Sequence, residues 1–218
     1  MSIRKVNLVG SEYYHIYNRG NSKQKIFQDN EDYFHFINLL YACNSINNFR
    51  AGTLAKGESP YDFERGKRIV SIGTFCIMPN HFHILITQNE EKGISKFIQK
   101  LSTAYSMYYN KKYKRTGGLF EGKFKSEHLN NDRYLKYLFS YIHLNPIKLI
   151  QKDWKEVGIK NKKESLEYLQ KYKYSSYLDY LDIKRIQNKI LNIESFPKYF
   201  PNKKSFQAEI LEWLSYND

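Results

Sequence analysis

The stretch Ile69-Val70-Ser71-Ile72-Gly73-Thr74-Phe75-Cys76-Ile77, then Met78-Pro79-Asn80, then His81-Phe82-His83-Ile84-Leu85-Ile86, decides the fold. Two apolar runs flank a Pro-Asn break, which is the pattern of a β-hairpin. Side chains alternate along a strand, so His81 and His83 share one face and Phe82 takes the other. Two imidazoles on one face can hold a divalent ion while Phe82 anchors the strand in the core. A His-x-His pair is more often structural, each ring hydrogen-bonded to a neighbour. The chemical reading therefore needs a further ligand and a nucleophile from elsewhere in the chain.

Outward from the hairpin, the pattern supplies the remaining elements. Tyr13 to Arg19 alternates and reads as the first strand, ended by Gly20-Asn21. Asn30 is placed to cap a helix over Glu31 to Cys43, with Phe34, Ile37, Leu40 and Tyr41 on its apolar stripe. Asn44 to Lys67 reads as a long polar loop with room for a short strand. The hairpin strands are Arg68 to Ile77 and His81 to Gln88. Ser95 to Tyr113 predicts an amphipathic helix that stops before Thr116-Gly117-Gly118. Phe124 to Leu129 predicts a fourth strand. A helix follows from Asn131 or Asp132 and must end near Asn145, because Pro146 comes next.

The order β-α-β-β-α-β-α predicts an α+β fold, the ferredoxin-like split βαβ arrangement, with an antiparallel sheet covered on one face by helices. Residues 1–150 are assigned to this domain. Residues 151–218 read as a helical appendage on the same body, with short pieces at Lys163–Lys171, Ser175–Leu181 and Lys203–Leu214.

Composition narrows the function classes. The 218 residues carry a net charge of +13 at pH 7. That favours a polyanionic partner such as nucleic acid, although a Lys-rich proteome gives the same balance. Position helps to decide: residues 92–125 hold nine Lys or Arg and one acid, Glu121, whereas residues 150–218 are close to balance. Within the first segment Lys111, Lys112, Lys114, Arg115, Lys123 and Lys125 are the candidate DNA contacts. Tyr105, Tyr108, Tyr109 and Tyr113 interleave with them, the mixture that single-stranded nucleic acid rewards. The same tyrosines fall at helical spacing and equally suit packing of a helix onto a sheet. Cys43 and Cys76 are too few and too far apart for a staple or a zinc site, and read as buried free thiols. No membrane-spanning run and no signal-peptide stretch is visible, so a cytoplasmic protein is expected.

On the helix after the fourth strand, Tyr134, Tyr137, Leu138, Tyr141 and Asn145 are neighbours at helical spacing. A tyrosine can attack a phosphodiester and hold the product covalently. Its phenol has a pKa of roughly 10 in water and needs activation. An ion on His81 and His83 would polarise the phosphate, with the Asn145 amide oxygen as a third ligand one turn past Tyr141. Imidazole plus oxygen ligands suit Mg²⁺ or, better, Mn²⁺. Spacing alone does not select Tyr141 from twenty tyrosines.

Resemblance does select it. Met78-Pro79-Asn80-His81-Phe82-His83-Ile84-Leu85 resembles the metal-binding strand of the HUH single-tyrosine, insertion-sequence-200-like transposases. Tyr141-Ile142-His143-Leu144-Asn145-Pro146 resembles the nucleophile motif of their REP-associated branch. Tyr14 to Asn21, Gly118 to Lys125 and Tyr174-Ser175-Ser176-Tyr177 resemble further family segments, in order, across about Tyr13 to Tyr180. The resemblance implies metal-dependent cleavage of single-stranded or hairpin DNA through a 5′-phosphotyrosine, then rejoining. Tyr141 would be the nucleophile and His81 and His83 the metal ligands. Asn145 stands where related transposases have a glutamine. A monomer or a homodimer is compatible, as is a transposase of a mobile element or a domesticated relative.

The remaining conspicuous residues read as structural. His15 could approach the site but reads first as a satisfied strand histidine, His143 as packing or surface, His35 as amphipathic surface, and His128 as an outside candidate for contact behind the site. Tyr137 reads as packing, and Trp154 and Trp213 as anchors of the appendage. The competing functions are a non-catalytic nucleic-acid-binding module, a hydrolase that activates water instead of Tyr141, and a Lys-rich interaction protein.

Overall fold

A computed structural model describes residues 8–49 and 58–215. Four strands, β1 (Tyr13–Arg19), β2 (Val70–Met78), β3 (His81–Gln88) and β4 (Lys125–His128), form one sheet in the order β2-β3-β1-β4. All three pairings are antiparallel. This is the split βαβ order: β3 lies between β1 and β2, and β1 lies between β3 and β4. The hairpin closes at Pro79-Asn80, with Met78 paired to His81. A register shift interrupts β2 between Ile72 and Thr74, at Gly73. There the Phe196 ring comes within 3.1 Å of where a Cβ would stand, a close approach that glycine permits.

Helices α1 (Asn30–Ala42) and α2 (Gly93–Lys112) cover the first face of the sheet. Phe36, Ile37, Leu40, Phe97, Leu101 and Tyr105 close there on Ile16, Phe82, Ile84 and Ile86. The cap of α1 is Asp29, one residue before the expected Asn30; its carboxylate accepts from the Asp32 N–H at 3.0 Å. Tyr105 and Tyr109 are buried, so the tyrosine run of α2 is largely packing. Described residues of the long loop hold a 3-10 turn at Pro60–Asp62 but no strand, and residues 50–57 lie outside the described residues.

The expectation of one covered face does not hold. Helix α3 (Asp132–Leu144), capped by Asn131, packs on the second face. Leu135, Leu138, Phe139 and Ile142 meet Cys76, Met78 and Leu85. The reason is visible in β2, where every residue is buried: a strand apolar on both faces must be covered on both. Burying each large apolar side chain contributes roughly 1.5–3 kcal/mol, which fixes α3 firmly.

After a 3-10 turn at Asn145–Leu149 come α4 (Trp154–Val157), α5 (Lys162–Lys171), α6 (Tyr177–Tyr180) and α7 (Lys203–Ser215). Between α5 and α6 the chain pairs with the outer edge of β2, with Ile77 N–H donating to Tyr174 O and Ser176 N–H to Phe75 O. That cover satisfies an otherwise open strand edge. Cys43 and Cys76 are buried free thiols, and burial pushes Cys43 up to about 12 and Cys76 higher still. Among the described residues no helix is long and apolar enough to cross a membrane.

Candidate active site

Strand register assembles the site. Tyr17 pairs with His83 and with Lys125, Arg19 with His81, and His15 with Leu85 and Glu127. Paired residues share a face, so His81, His83, His15, Tyr17, Arg19, Lys125 and Glu127 all project from the second face, the side on which α3 lies. The rings of His81 and His83 stand 4.9 Å apart, nearly perpendicular.

Neighbouring hydrogen bonds decide which nitrogen each histidine offers. His81 Nδ1 is 2.6 Å from Asn80 Oδ1. An amide oxygen only accepts, so Nδ1 carries the proton and Nε2 keeps the lone pair. His83 Nδ1 is 2.8 Å from His15 Nε2. His15 Nδ1 lies 3.5 Å from Glu127 Oε2, at ion-pair rather than hydrogen-bond distance. Glu127 Oε1 in turn accepts from the Tyr134 hydroxyl at 2.8 Å. A proton on His15 Nδ1, facing the carboxylate, makes its Nε2 the acceptor. His83 Nδ1–H then donates, and His83 Nε2 is left with its lone pair.

Burial holds these rings neutral. It lowers His81 to about 4, helped by Lys148, Lys155 and Arg19. It takes His83 well below the usual histidine range, helped by His15 and His81. His15 is lowered by burial too, against the opposing pull of Glu127. Neutral rings with outward lone pairs are the form that ligates a cation.

Helix α3 brings Tyr141 to the same place. Its ring stands edge-on to His83 at 5.9 Å and to His15 at 6.3 Å between centroids. Tyr141 Oη accepts from Lys155 Nζ at 2.6 Å. Asn145 caps α3 and is buried; its amide nitrogen donates to the Tyr141 carbonyl at 2.8 Å, which leaves only its oxygen for a metal. Among the described residues no group of three or more His, Cys, Asp or Glu could hold an ion. Two neutral imidazoles are therefore what these residues would offer an ion, and oxygen from an amide, phosphate or water would have to complete the set.

A cavity of about 630 Å³ opens beside His81, with Tyr17, Met78, Pro79 and Leu149 among its walls and Arg19, Lys23, Lys25, Lys125, Lys148 and Lys152 lining it. Arg19 is tied to Glu121 through two hydrogen bonds. A second cavity, about 550 Å³, is lined by Tyr141 together with Trp154, Lys155 and Trp213.

Of the basic residues singled out in the sequence, Lys125 lines the first cavity. Lys112 is occupied by Asp29, Glu31 and Asp32, each at 2.9 Å. Lys111 lies in the last turn of α2, and Lys114 and Arg115 follow the helix, with the Arg115 guanidinium 5.5 Å from the Tyr109 ring centroid. Lys123 is exposed before β4. His128 turns away and pairs with Glu12 at 2.8 Å. His143 is buried against Thr74 and Ser176. His35 stacks on Tyr108 at 3.8 Å. His15, expected mainly as a structural strand histidine that could approach the site, does approach it: its ring contacts His83, on the β1 face it shares with Tyr13, Tyr17 and Arg19. Nothing in the sequence pointed to Lys155.

The fold is thus an antiparallel split βαβ sheet in which a two-histidine strand faces a tyrosine carried on α3. Residues 65–145 match the family model described as "Transposase IS200 like". That span, which runs from before β2 to the end of α3, is similar to IS200-like transposases. A solved structure, "Structure of the REP associates tyrosine transposase bound to a REP hairpin", aligns at 12% identity, covering 86% of this chain and 90% of that one, with a TM-score of 0.48. No curated protein matches the chain.

Proposed function

We propose that the protein is a metal-dependent single-stranded DNA endonuclease and strand transferase that works through a 5′-phosphotyrosine intermediate. The observation that carries this is the placement of Tyr141 against His83, across the face that also presents His81. Residues 1–150 would be the catalytic domain and 151–218 its appendage. His81 and His83 would hold Mg²⁺ or Mn²⁺ through Nε2, with the Asn145 oxygen as the third protein ligand. Such an ion, when bound, supplies Lewis-acid polarisation of the scissile phosphate.

The protein's own groups do the rest. Tyr141 attacks phosphorus and keeps the downstream fragment on its oxygen. The upstream fragment leaves with a 3′-OH, which can later attack the phosphotyrosine and reseal a strand. Cations of the first cavity, Lys125, Lys148 and Lys152 among them, would track the DNA backbone, and its apolar wall would take a base.

The test is cleavage of a randomised pool of single-stranded oligonucleotides with Mg²⁺, with Mn²⁺ and with excess EDTA. Cleavage should need the metal, and His81→Ala or His83→Ala should abolish it while most DNA affinity remains. Full cleavage in EDTA would remove the ion from the mechanism. DNA binding without cleavage under every condition would favour a non-catalytic binding module.

A further inference from the structure

Tyr141 is met by a residue from outside the strand-and-helix core. Lys155, on α4, places Nζ 2.6 Å from the Tyr141 oxygen and 4.0 Å from the centre of its ring. The loop that carries it is laced together. Gln151 donates to the Gly158 carbonyl at 2.7 Å and accepts from the Lys160 N–H at 3.0 Å. Lys160 pairs with Asp153 at 3.0 Å. Trp154 and Ile159 pack on the cluster that contains Leu144 and Ile147, just past Tyr141. Among the described residues no carboxylate lies within ion-pair distance of Lys155. Its charge is directed at the phenol instead.

We propose that Lys155 is a catalytic residue of the appendage, whose ammonium holds the Tyr141 oxygen and stabilises the charge that oxygen carries during strand cleavage and rejoining. The proposal rests on the reading of Tyr141 as nucleophile. In cleavage the Oη–P bond forms and the P–O3′ bond breaks. The phenol proton passes to solvent, and the leaving 3′ oxygen takes one up; Lys155 keeps its own protons. In rejoining the O3′–P bond forms, the Oη–P bond breaks, and the electron pair returns to the phenol oxygen opposite the same ammonium. A charge-assisted hydrogen bond is about twice as strong as a neutral one, and it strengthens as the oxygen becomes anionic. One such donor removed from a developing oxyanion typically costs about 10²–10³ in rate. The appendage would then complete the active site as well as cover the sheet.

The test compares Lys155→Met, which keeps the apolar stem, with Lys155→Arg, which keeps the charge, in the full chain with Mn²⁺ and saturating single-stranded substrate. Lys155→Met should slow single-turnover cleavage about 10- to 100-fold and slow rejoining similarly, with DNA affinity and thermal stability near wild type. Lys155→Arg should recover most of the rate. A wild-type rate for Lys155→Met would overturn the proposal. So would a loss of affinity matching the loss of rate, which would make Lys155 a phosphate contact. Tyr141→Phe run alongside separates the two readings. If it still forms a covalent adduct, the nucleophile assignment fails; if it is inert while Lys155→Met is normal, only the role of Lys155 fails.

Discussion

Asn80 and His15 each settle, through one hydrogen bond, which nitrogen of a neighbouring histidine faces outward. Outer partners of this kind typically tune metal affinity 10- to 100-fold, roughly the effect of orienting the ring and choosing its tautomer. His15→Ala should therefore weaken Mn²⁺ binding, measured by titration calorimetry, by about 10- to 100-fold. Unchanged Mn²⁺ affinity would reduce His15 to packing. The shared facing of His81 and His83 was legible from strand alternation alone. That His15 could approach the site was legible too, but its partner was not, because the contact with His83 depends on the register of β1 against β3, which pairs residues far apart in sequence. Spacing alone did not single out Tyr141 among twenty tyrosines; only the resemblance of Tyr141 to Pro146 to the nucleophile motif of the insertion-sequence-200-like transposases did.

Among the elements, α1 and α2 are clamped at the start of one and the end of the other. Asp32 is buried, yet it accepts from Lys112 at 2.9 Å, Tyr113 at 2.8 Å, Tyr108 at 3.0 Å and the Gln28 N–H at 2.7 Å. Burial pushes its carboxyl up, but those donors together hold it below the usual range. Removing the cation leaves a buried carboxylate short of a partner. Lys112→Met should cost about 1.5–3 kcal/mol, the worth of a hydrogen bond to a charged group, read from urea unfolding. DNA affinity should barely change, whereas Lys148→Ala should reduce the salt dependence of DNA binding by about one phosphate contact. A large affinity loss in a fully stable Lys112→Met protein would return Lys112 to the DNA-contacting surface. Charge clustering in the sequence could not separate these roles, because the acidic partners lie near residue 30, far from α2 in the chain.

At the scale of the whole molecule, the strand and helix order was legible because each period is strong and each break carries Pro, Gly or a capping residue. The second covered face was less so: β2 reads as an apolar run, and only its burial on every residue shows that both sides are occupied. The appendage closes a buried polar cluster between β2 and α3, in which His143 meets Thr74 at 2.7 Å and Ser176 of the appendage at 2.8 Å. Burial drives His143 down to about 3. The unfolded chain then binds the extra proton between about pH 6.5 and that value, so stability is full above about 6.5 and falls as the pH drops. Urea midpoints measured in EDTA should be level from neutral pH upward and decline below about 6.5, with a shallower decline in His143→Gln. Stability that rose on acidification would contradict the buried neutral state.

If Tyr141 is the nucleophile, its oxygen carries the DNA in a covalent protein–DNA intermediate. The direct measurement is to trap the protein with a single-stranded, 3′-labelled oligonucleotide pool in Mn²⁺, digest it, and map the DNA-bearing peptide by mass. A phosphotyrosyl adduct retains the 3′ label, because the protein stays on the 5′ end of the downstream fragment. One modified peptide, carrying the nucleotide on Tyr141, is expected, and none from Tyr141→Phe. An adduct on Tyr134, Tyr137 or any other residue, or cleavage with no adduct at all, would contradict it.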